Sequence, residues 1–153
     1  MCSGKNAMTK RNPSPAPVDP KRSANMARVR SKGNRSTELD MVRRLRAARL
    51  TGWRRHLRLP GTPDLAFPKA KVAVFLDGCF WHGCPKCYRA PKHNAEFWKQ
   101  KVERNRKRDK AADSQLRAMG WNVVRVWEHS LRTPNIAEQR LRRALERAAD
   151  AKQ

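Results

Sequence analysis

Apolar runs along the chain predict three buried strands and one exposed strand. The most apolar run, at 72–76, contains β-branched and aromatic residues between turn formers, which favours a buried strand over a helix. Runs at 65–67 and 121–127 predict two more strands, and the alternating piece at 53–58 predicts an exposed one. Because only a short turn separates 65–67 from 72–76, these two strands are predicted to pair as a hairpin.

Apolar positions with a helical repeat predict three helices. The first runs over about 38–49, with Thr37 as its cap and Asp40 in the capping-box position. The second runs over about 96–119, and the third follows Asn135 and carries a strongly basic outer face.

Three polar residues fall on the apolar sides of these helices. Glu38 lies four residues before Val42 on or beside the inward face of the first helix, and Asn105 and Asp109 extend the apolar stripe of the second. Each has two interpretations. Glu38 is either a first-turn acid favoured by the helix dipole or a side chain directed at the interior. Asn105 and Asp109 either satisfy buried hydrogen bonds or reach a functional site at the strand ends.

The length of 153 residues and the 39% apolar content suffice for one core and predict one domain. Residues 1–23 are rich in proline and basic side chains, which predicts a disordered arm ahead of a domain at 24–153. The arm is either a solubilising tail or a segment that settles on phosphates. No apolar run approaches the roughly 20 residues of a membrane helix, and no signal sequence is apparent, so a cytoplasmic protein is expected.

The charge of the chain points to a polyanionic partner. The 36 Lys and Arg residues against 13 Asp and Glu give a formal net charge of +23. Because the basic residues run along the whole chain and do not form one membrane-type amphipathic helix, nucleic acid is favoured over a membrane surface. The charge does not distinguish DNA from RNA, or an enzyme from a binding protein, since phosphate contacts carry no sequence information.

A cluster of cysteines follows the strand at 72–76. Cys79, Cys84 and Cys87 have a C-x4-C-x2-C spacing that allows three thiolates to converge on one tetrahedral ion. His129 follows the strand at 121–127 in the same way and is the best candidate for the fourth ligand. In a reducing cytosol such a cluster favours a metal over a disulfide.

Two acids are carried by the predicted hairpin. Asp64 begins one strand after a rigid Pro-Gly turn, and Asp77 ends the other. Two acids on adjacent strands beside a basic surface could hold a divalent cation against phosphate, whereas Asp64 alone could be a turn residue. His56 lies in the exposed strand, and its position suggests no function.

Several motifs together resemble the very short patch repair (Vsr) endonucleases from about Arg22 to Leu131. The first is Asp-Gly-Cys-Phe-Trp-His-Gly-Cys-Pro, which begins at Asp77. The others are Glu96-Phe97-Trp98, Asn105-x-x-Arg108-Asp109, Gly120-Trp121 and Trp127-Glu128-His129. The resemblance implies an α/β fold with a restriction-endonuclease-like core, in which a mixed sheet is flanked by helices, and a structural zinc site. It also implies magnesium-dependent nicking of double-stranded DNA, 5′ of the thymine in T:G mismatches left by deamination of 5-methylcytosine.

The resemblance also assigns roles to individual residues. Asp64 and the backbone carbonyl of Leu76 would bind magnesium, and His82 would act on the attacking water. Glu38 and Asp109 would hold magnesium-bound waters. The matching DNA-wedge residues are Phe80, Trp81 and Trp98, and the matching zinc ligands are Cys79, Cys84, Cys87 and His129.

Asp77 departs from the family pattern, because some members carry histidine there. It is a metal-site acid, a hydrogen-bond partner on the phosphate side, or a support. The resemblance further leads us to expect a monomer in the bacterial cytoplasm, associated with the nucleoid and with possible mismatch-repair protein partners.

Two alternatives compete with a nuclease. A basic zinc-containing nucleic-acid-binding protein without catalysis explains the charge and the cysteines, but not three inward-directed acids at Glu38, Asp64 and Asp109. A thiol redox protein would use Cys84-Pro85-Lys86-Cys87, whose spacing matches the C-x-x-C motif.

Overall fold

The structure, a computed structural model, describes residues 37–151. The predicted arm at 1–23 lies outside these residues. Three α-helices, four strands and one short 3-10 helix follow in the order α1 (Glu38–Ala47), β1 (Arg54–Arg55), β2 (Leu65–Phe67), β3 (Val72–Asp77), α2 (Ala95–Ala118), β4 (Asn122–Trp127), the 3-10 helix (Glu128–Arg132) and α3 (Ile136–Asp150). The predicted strands and helices are confirmed, although the exposed strand shrinks to two residues.

The four strands form one mixed sheet in the order β1-β2-β3-β4. The first three strands pair antiparallel, so the predicted hairpin of β2 and β3 is confirmed. The parallel pair of β3 and β4 runs in register from Val72 opposite Asn122 to Asp77 opposite Trp127. A parallel pair needs a long crossover, and α2 provides it. The carboxyl ends of β3 and β4 therefore lie side by side.

Helices cover both faces of the sheet, which explains why every residue of β3 is buried. On one face, α1 and α3 pack on the sheet through a core that includes Met41, Leu45, Val74, Val126 and Leu141. On the other face, α2 contributes Leu116, which packs with Ala73 and Phe75. Side chains of β3 and β4 alternate between these two cores. The α/β class and the mixed sheet flanked by helices are thus confirmed.

The start of α1 differs from the predicted capping box. The Thr37 side chain makes no cap hydrogen bond. Asp40 instead accepts a hydrogen bond from Arg44 Nε at 2.7 Å, because residues four apart are neighbours on a helix surface. Over residues 37–151, none of the helices combines the length and apolarity needed to cross a bilayer.

Candidate active site and metal centre

Three thiols and one imidazole converge beyond the ends of β3 and β4. The ligand atoms of Cys79, Cys84, Cys87 and His129 all lie within 4.8 Å of one another. His129 Nδ1 is 3.3 Å from Cys79 Sγ and 3.4 Å from Cys84 Sγ. In a tetrahedral zinc site, sulfur and nitrogen ligands lie about 3.6 Å apart. The predicted ligand set is therefore brought together with the spacing that a metal such as zinc requires.

The parallel register of β3 and β4 explains this convergence. Cys79 lies two residues beyond β3 and His129 two residues beyond β4, so both leave the sheet at the same edge. The turn closes through a 2.9 Å hydrogen bond from the Cys84 N–H to the Cys79 carbonyl. Gly83 has a φ of +64°, and a Cβ there would lie 2.5 Å from Val102 Cγ1. Only glycine fits this turn without strain.

The environment of the thiols suits metal ligands better than a redox pair. Burial raises the pKa of Cys79 to about 11, and the neighbouring thiols of Cys87 and Cys84 act in the same direction. Burial would raise the pKa of Cys84, but hydrogen bonds from the backbone of Cys87 and Lys86 outweigh it, and the pKa is lowered. Cys84 is nevertheless only 1% exposed, whereas a redox-active cysteine has to be accessible as well as low in pKa. A metal site requires only that its thiols lose their protons when the ion binds.

Helix α2 holds the turn that carries the candidate catalytic groups. Asn105 Nδ2 donates a hydrogen bond of 2.8 Å to the Trp81 carbonyl. Arg106 donates to the carbonyls of His82 and Gly83, the former at 3.3 Å. The polar residue at 105 on the apolar stripe of α2 thus satisfies the backbone of the turn, one of the two interpretations of its position.

The second polar residue on that stripe pairs with a histidine. His82 Nδ1 lies 2.7 Å from Asp109 Oδ2. Since an ionised carboxylate only accepts hydrogen bonds, Nδ1 carries the proton and Nε2 of the neutral ring is left as a base. Burial would lower the pKa of His82, but the Asp109 hydrogen bond and the charge of Asp77 outweigh it, and the pKa is raised. Asp109 has a lowered pKa, because its hydrogen bond and charge interaction with His82 outweigh burial.

Arg125 on β4 organises the acids around this pair, although no pattern in the sequence predicted a role for it. Its Nη1 donates to both oxygens of Asp77, at 2.7 and 2.9 Å. Its Nε and Nη2 donate to Asp113 at 3.0 to 3.2 Å, and its guanidinium stands 4.5 Å above the Phe75 ring. Burial nonetheless raises the pKa of Asp77. Both Asp77 oxygens are engaged by Arg125, which favours the interpretation of Asp77 as a support.

Asp64 lies at the start of β2 and is bound to the neighbouring strand. The Leu76 N–H donates to Asp64 Oδ2 at 2.8 Å. Burial raises the pKa of Asp64, and the negative charges of Glu38 and Asp77 add to that rise. A carboxylate destabilised by burial and like charges is relieved by a bound cation. A divalent cation that keeps several of its waters needs few protein carboxylates, so Asp64 could contribute to such a site.

Glu38 is 1% exposed, as expected if it is directed inward, and His56 contacts it. His56 Nε2 lies 2.8 Å from Glu38 Oε1, and Arg55 Nε donates to the same oxygen at 2.6 Å. His56 thus lies just after the exposed strand and contacts the buried acid of α1, a contact that its position in the sequence did not predict. A positive φ of 49° just after β1 turns its ring towards α1, and an isolated histidine in a basic stretch gave no signal of this contact.

The three predicted wedge residues form one aromatic cluster beside the cysteine turn. The ring centroids of Phe80 and Trp81 are 5.4 Å apart, those of Phe80 and Trp98 are 5.1 Å apart, and those of Trp81 and Trp98 are 6.0 Å apart. Phe97 extends the cluster to the surface with 40% exposure. The cluster presents partly exposed aromatic rings next to His82.

Comparison with known proteins relates the chain to DNA endonucleases. The model of the family described as DNA mismatch endonuclease Vsr matches residues 18–89. The type II nicking enzyme V.XorIIP of Xanthomonas oryzae pv. oryzae is 40% identical over 124 residues, which cover 79% of this chain and 89% of that protein. The DNA mismatch endonuclease Vsr of Escherichia coli is 41% identical over 76 residues, 48% of either chain.

A third relative matches a shorter region. The type II nicking enzyme V.NaeI of Lentzea aerocolonigenes is 51% identical over 67 residues, 44% of this chain and 40% of that protein. The matched region thus spans less than half the length of V.NaeI and of the Escherichia coli protein. The match to V.XorIIP, by contrast, extends over most of both proteins. On that extended similarity, the chain belongs to the Vsr family of DNA mismatch endonucleases.

Proposed function

We propose that this protein is a magnesium-dependent endonuclease that nicks one strand of double-stranded DNA, 5′ of the thymine in a T:G mismatch. The proposal rests on two hydrogen-bonded pairs that lie close together. Asp64 accepts a hydrogen bond from the Leu76 N–H, and His82 is paired with Asp109. Asp77 links the two pairs, because it follows Leu76 and its Oδ1 is 3.8 Å from His82 Nδ1. A metal-binding acid and an oriented base are the two parts that phosphodiester hydrolysis requires.

Each residue has a defined role in this proposal. Asp64 and the backbone carbonyl of Leu76 would hold magnesium, which neutralises developing charge on the scissile phosphate. His82 Nε2 takes the proton of the attacking water, while Asp109 fixes the ring through Nδ1. Glu38 and Asp109 would position waters around the metal, and Asp77 with Arg125 supports the base.

Substrate recognition is assigned to two further features. The aromatic cluster of Phe80, Trp81 and Trp98 would enter the base stack beside the mismatch, since apolar wedges unstack weakened base steps. The Cys79, Cys84, Cys87 and His129 set would hold a structural zinc that fixes the turn bearing two of these rings. We further propose a monomer that acts in the cytoplasm on nucleoid DNA and meets mismatch-repair proteins there.

A binding protein without catalysis is less well supported. Such a protein would use the zinc set and the positive charge. It would leave unexplained why Asp109 orients His82 at 2.7 Å close to Asp77, whose charge also acts on Asp64. The names of the relatives also describe nicking enzymes and an endonuclease.

The decisive experiment replaces the metal-binding acid. Asp64→Asn keeps the shape of the side chain but removes its charge, so we expect nicking of a T:G duplex to fall by at least about 10²-fold with binding unchanged. Gel-shift affinity and single-turnover nicking are measured on one duplex, with and without magnesium. Asp150→Asn, at the exposed end of α3, is the matched control. An Asp64→Asn variant that nicks at the wild-type rate would place the active site elsewhere.

A further inference from the structure

A groove of about 650 Å³ crosses the outer edge of β4, away from the candidate active site. It is lined by Arg117 of α2, by residues 122–124 of β4 and by several residues of α3. Because α2 and α3 cover opposite faces of the sheet, a groove lined by both must pass over the strand edge between them. Over residues 37–151, β4 is the last strand of the sheet on this side. Its outward backbone N–H and C=O groups are therefore open to a further strand.

The walls of this groove are strongly basic. Arg117 stands on one side of the edge, and Arg140, Arg143 and Arg147 stand on the other. No acidic side chain lines the groove, and none of these four arginines forms an ion pair within the described residues. Arg140, Arg143 and Arg147 follow each other at spacings of three and four, so they share one face of α3. Four unpaired guanidinium groups around one groove favour an anionic occupant.

Apolar side chains lie between the arginines. Val124, Ala144 and Ile136 line the groove, and Ile136 is 46% exposed although it is a large apolar residue. A phosphate backbone presents no apolar groups to such a surface, whereas a peptide strand places every second side chain against it. The mixture of open strand edge, apolar patches and flanking arginines matches the way that extended peptides add to sheets.

Position also separates this groove from the DNA-cutting end of the sheet. The groove lies at residues 122–124, whereas the metal-binding and catalytic groups follow the opposite ends of β3 and β4. Five residue steps along the strand, from Asn122 to Trp127, correspond to roughly 16 Å. The groove therefore lies at the end of the parallel pair away from the aromatic cluster and His82.

We propose that the β4 groove binds an extended, acidic peptide segment of a partner protein, which adds to the sheet as a strand beside β4. Backbone hydrogen bonds to β4 provide the register, and Asp or Glu side chains of the peptide pair with the four arginines. The proposal concerns an interaction surface and does not depend on the reaction that the protein catalyses.

Two peptides of equal charge test the proposal. A fluorescent peptide of alternating Val and Glu can form a strand, whereas the same peptide with every backbone amide N-methylated keeps its charge but has no N–H donor for β4. We expect the first to bind the full-length protein about tenfold more tightly than the second at physiological ionic strength. Equal affinities would mean that net charge alone attracts the peptides and would overturn the proposal.

Charge-matched variants locate the binding site. Arg117→Gln/Arg143→Gln removes one arginine from each side of the groove, and we expect about a tenfold loss of Val–Glu peptide affinity. Arg104→Gln/Lys110→Gln removes two exposed charges of α2 outside the groove and should change the affinity by less than about twofold. T:G duplex affinity is measured in parallel. Equal loss of peptide binding in both variants, or a groove variant that loses duplex binding alone, would contradict the proposal.

Discussion

The hydrogen bond between His82 Nδ1 and Asp109 Oδ2 defines the state of the base. At 2.7 Å it fixes the imidazole tautomer, and it shifts the pKa values of the two partners in opposite directions. Both side chains are about a quarter exposed, at 27% and 26%, so solvent weakens the interaction without abolishing it. The contact thus contributes to stability as well as to the proposed proton transfer.

The opposite pKa shifts set a pH window for that stability. Asp109 has a lowered pKa, so its contribution is present above the unfolded value of about 3.9 and is lost as pH falls through the folded pKa. His82 has a raised pKa, so its contribution is present below about 6.5 and is lost as pH rises through the folded pKa. The full contribution therefore lies between about pH 4 and pH 6.5.

We predict that Asp109→Asn destabilises the protein more at about pH 5.5 than at about pH 8.5, with a difference on the order of 1 kcal/mol. Urea unfolding of wild type and variant at both pH values gives this difference directly. Glu103→Gln is the control, because Glu103 pairs with Lys107 and no histidine is involved. A cost of Asp109→Asn that does not change with pH would show that the pair is not ionic.

At the scale of elements, the parallel pair of β3 and β4 does most to build the site. It brings the turn after β3 and the 3-10 helix after β4 to one edge, and α2 crosses over that edge. Hydrogen bonds from Asn105 and Arg106 then fix the backbone of the turn from above. The turn therefore depends on close contact with α2, and Gly83 is the point of closest approach.

We predict that Gly83→Ala destabilises the protein by about 2 to 4 kcal/mol, because the added Cβ combines a strained φ with a clash against Val102. Gly52→Ala is the matched control. Gly52 also has a positive φ, of +84°, but nothing lies within 4 Å of the position of the added Cβ. Gly52→Ala should lower the free energy of unfolding by about 1 kcal/mol, through backbone strain alone. If chemical denaturation gave equal losses of unfolding free energy for the two variants, the contact between α2 and the turn would not be close enough to exclude a Cβ.

Metal binding should stabilise the same element. We predict about one zinc per chain, and we expect Cys79→Ser to give aggregated or unfolded protein, since a structural zinc contributes on the order of 10 kcal/mol to folding. Metal analysis and thermal melting measure both effects. Cys2→Ser, which changes the one cysteine outside the cluster, should keep the metal and the melting temperature. A folded, zinc-free Cys79→Ser variant with normal melting would contradict a structural site.

At the scale of the whole molecule, the proposed function separates the source of DNA affinity from the source of mismatch selectivity. A net charge of +23 provides attraction to any duplex, and this attraction depends on salt through counterion release. The aromatic cluster is confined to one place, beside the cysteine turn. Selectivity for a mismatch should therefore be lost when the cluster changes, while general binding remains.

We predict that Trp81→Ala weakens binding to a T:G duplex by about tenfold or more but changes binding to the matched duplex little, because a wedge is effective only where a base step is already weak. The dependence of affinity on salt should be the same for wild type and variant, since the phosphate contacts remain. Affinities of both duplexes over a range of salt concentrations test this. Equal losses on both duplexes would identify Trp81 as a packing residue.

The sequence by itself determined the main strands and helices, and it predicted most of the residues proposed for the site. The β-branched run at 72–76 specifies a buried strand, because all of its side chains are apolar and are stabilised by removal from water. The helical repeat of apolar residues specifies α2, because it places them on one side of a helix. The cysteine spacing predicted three ligands, and Asp109 was detected because a charged residue on an apolar stripe needs a partner. These signals are local, since each depends on residues within a few positions of one another.

Only the tertiary structure decided which groups contact each other across the sheet. Arg125 meets Asp77 and Asp113 over distances of 48 and 12 residues in the chain, and His56 meets Glu38 over 18. Such contacts depend on strand register and on a positive φ after β1, neither of which leaves a periodic signal in the sequence. The ionic network around His82 follows from the packing of α2 and β4, because charged side chains distant in sequence form an ion pair only once folding has brought them together.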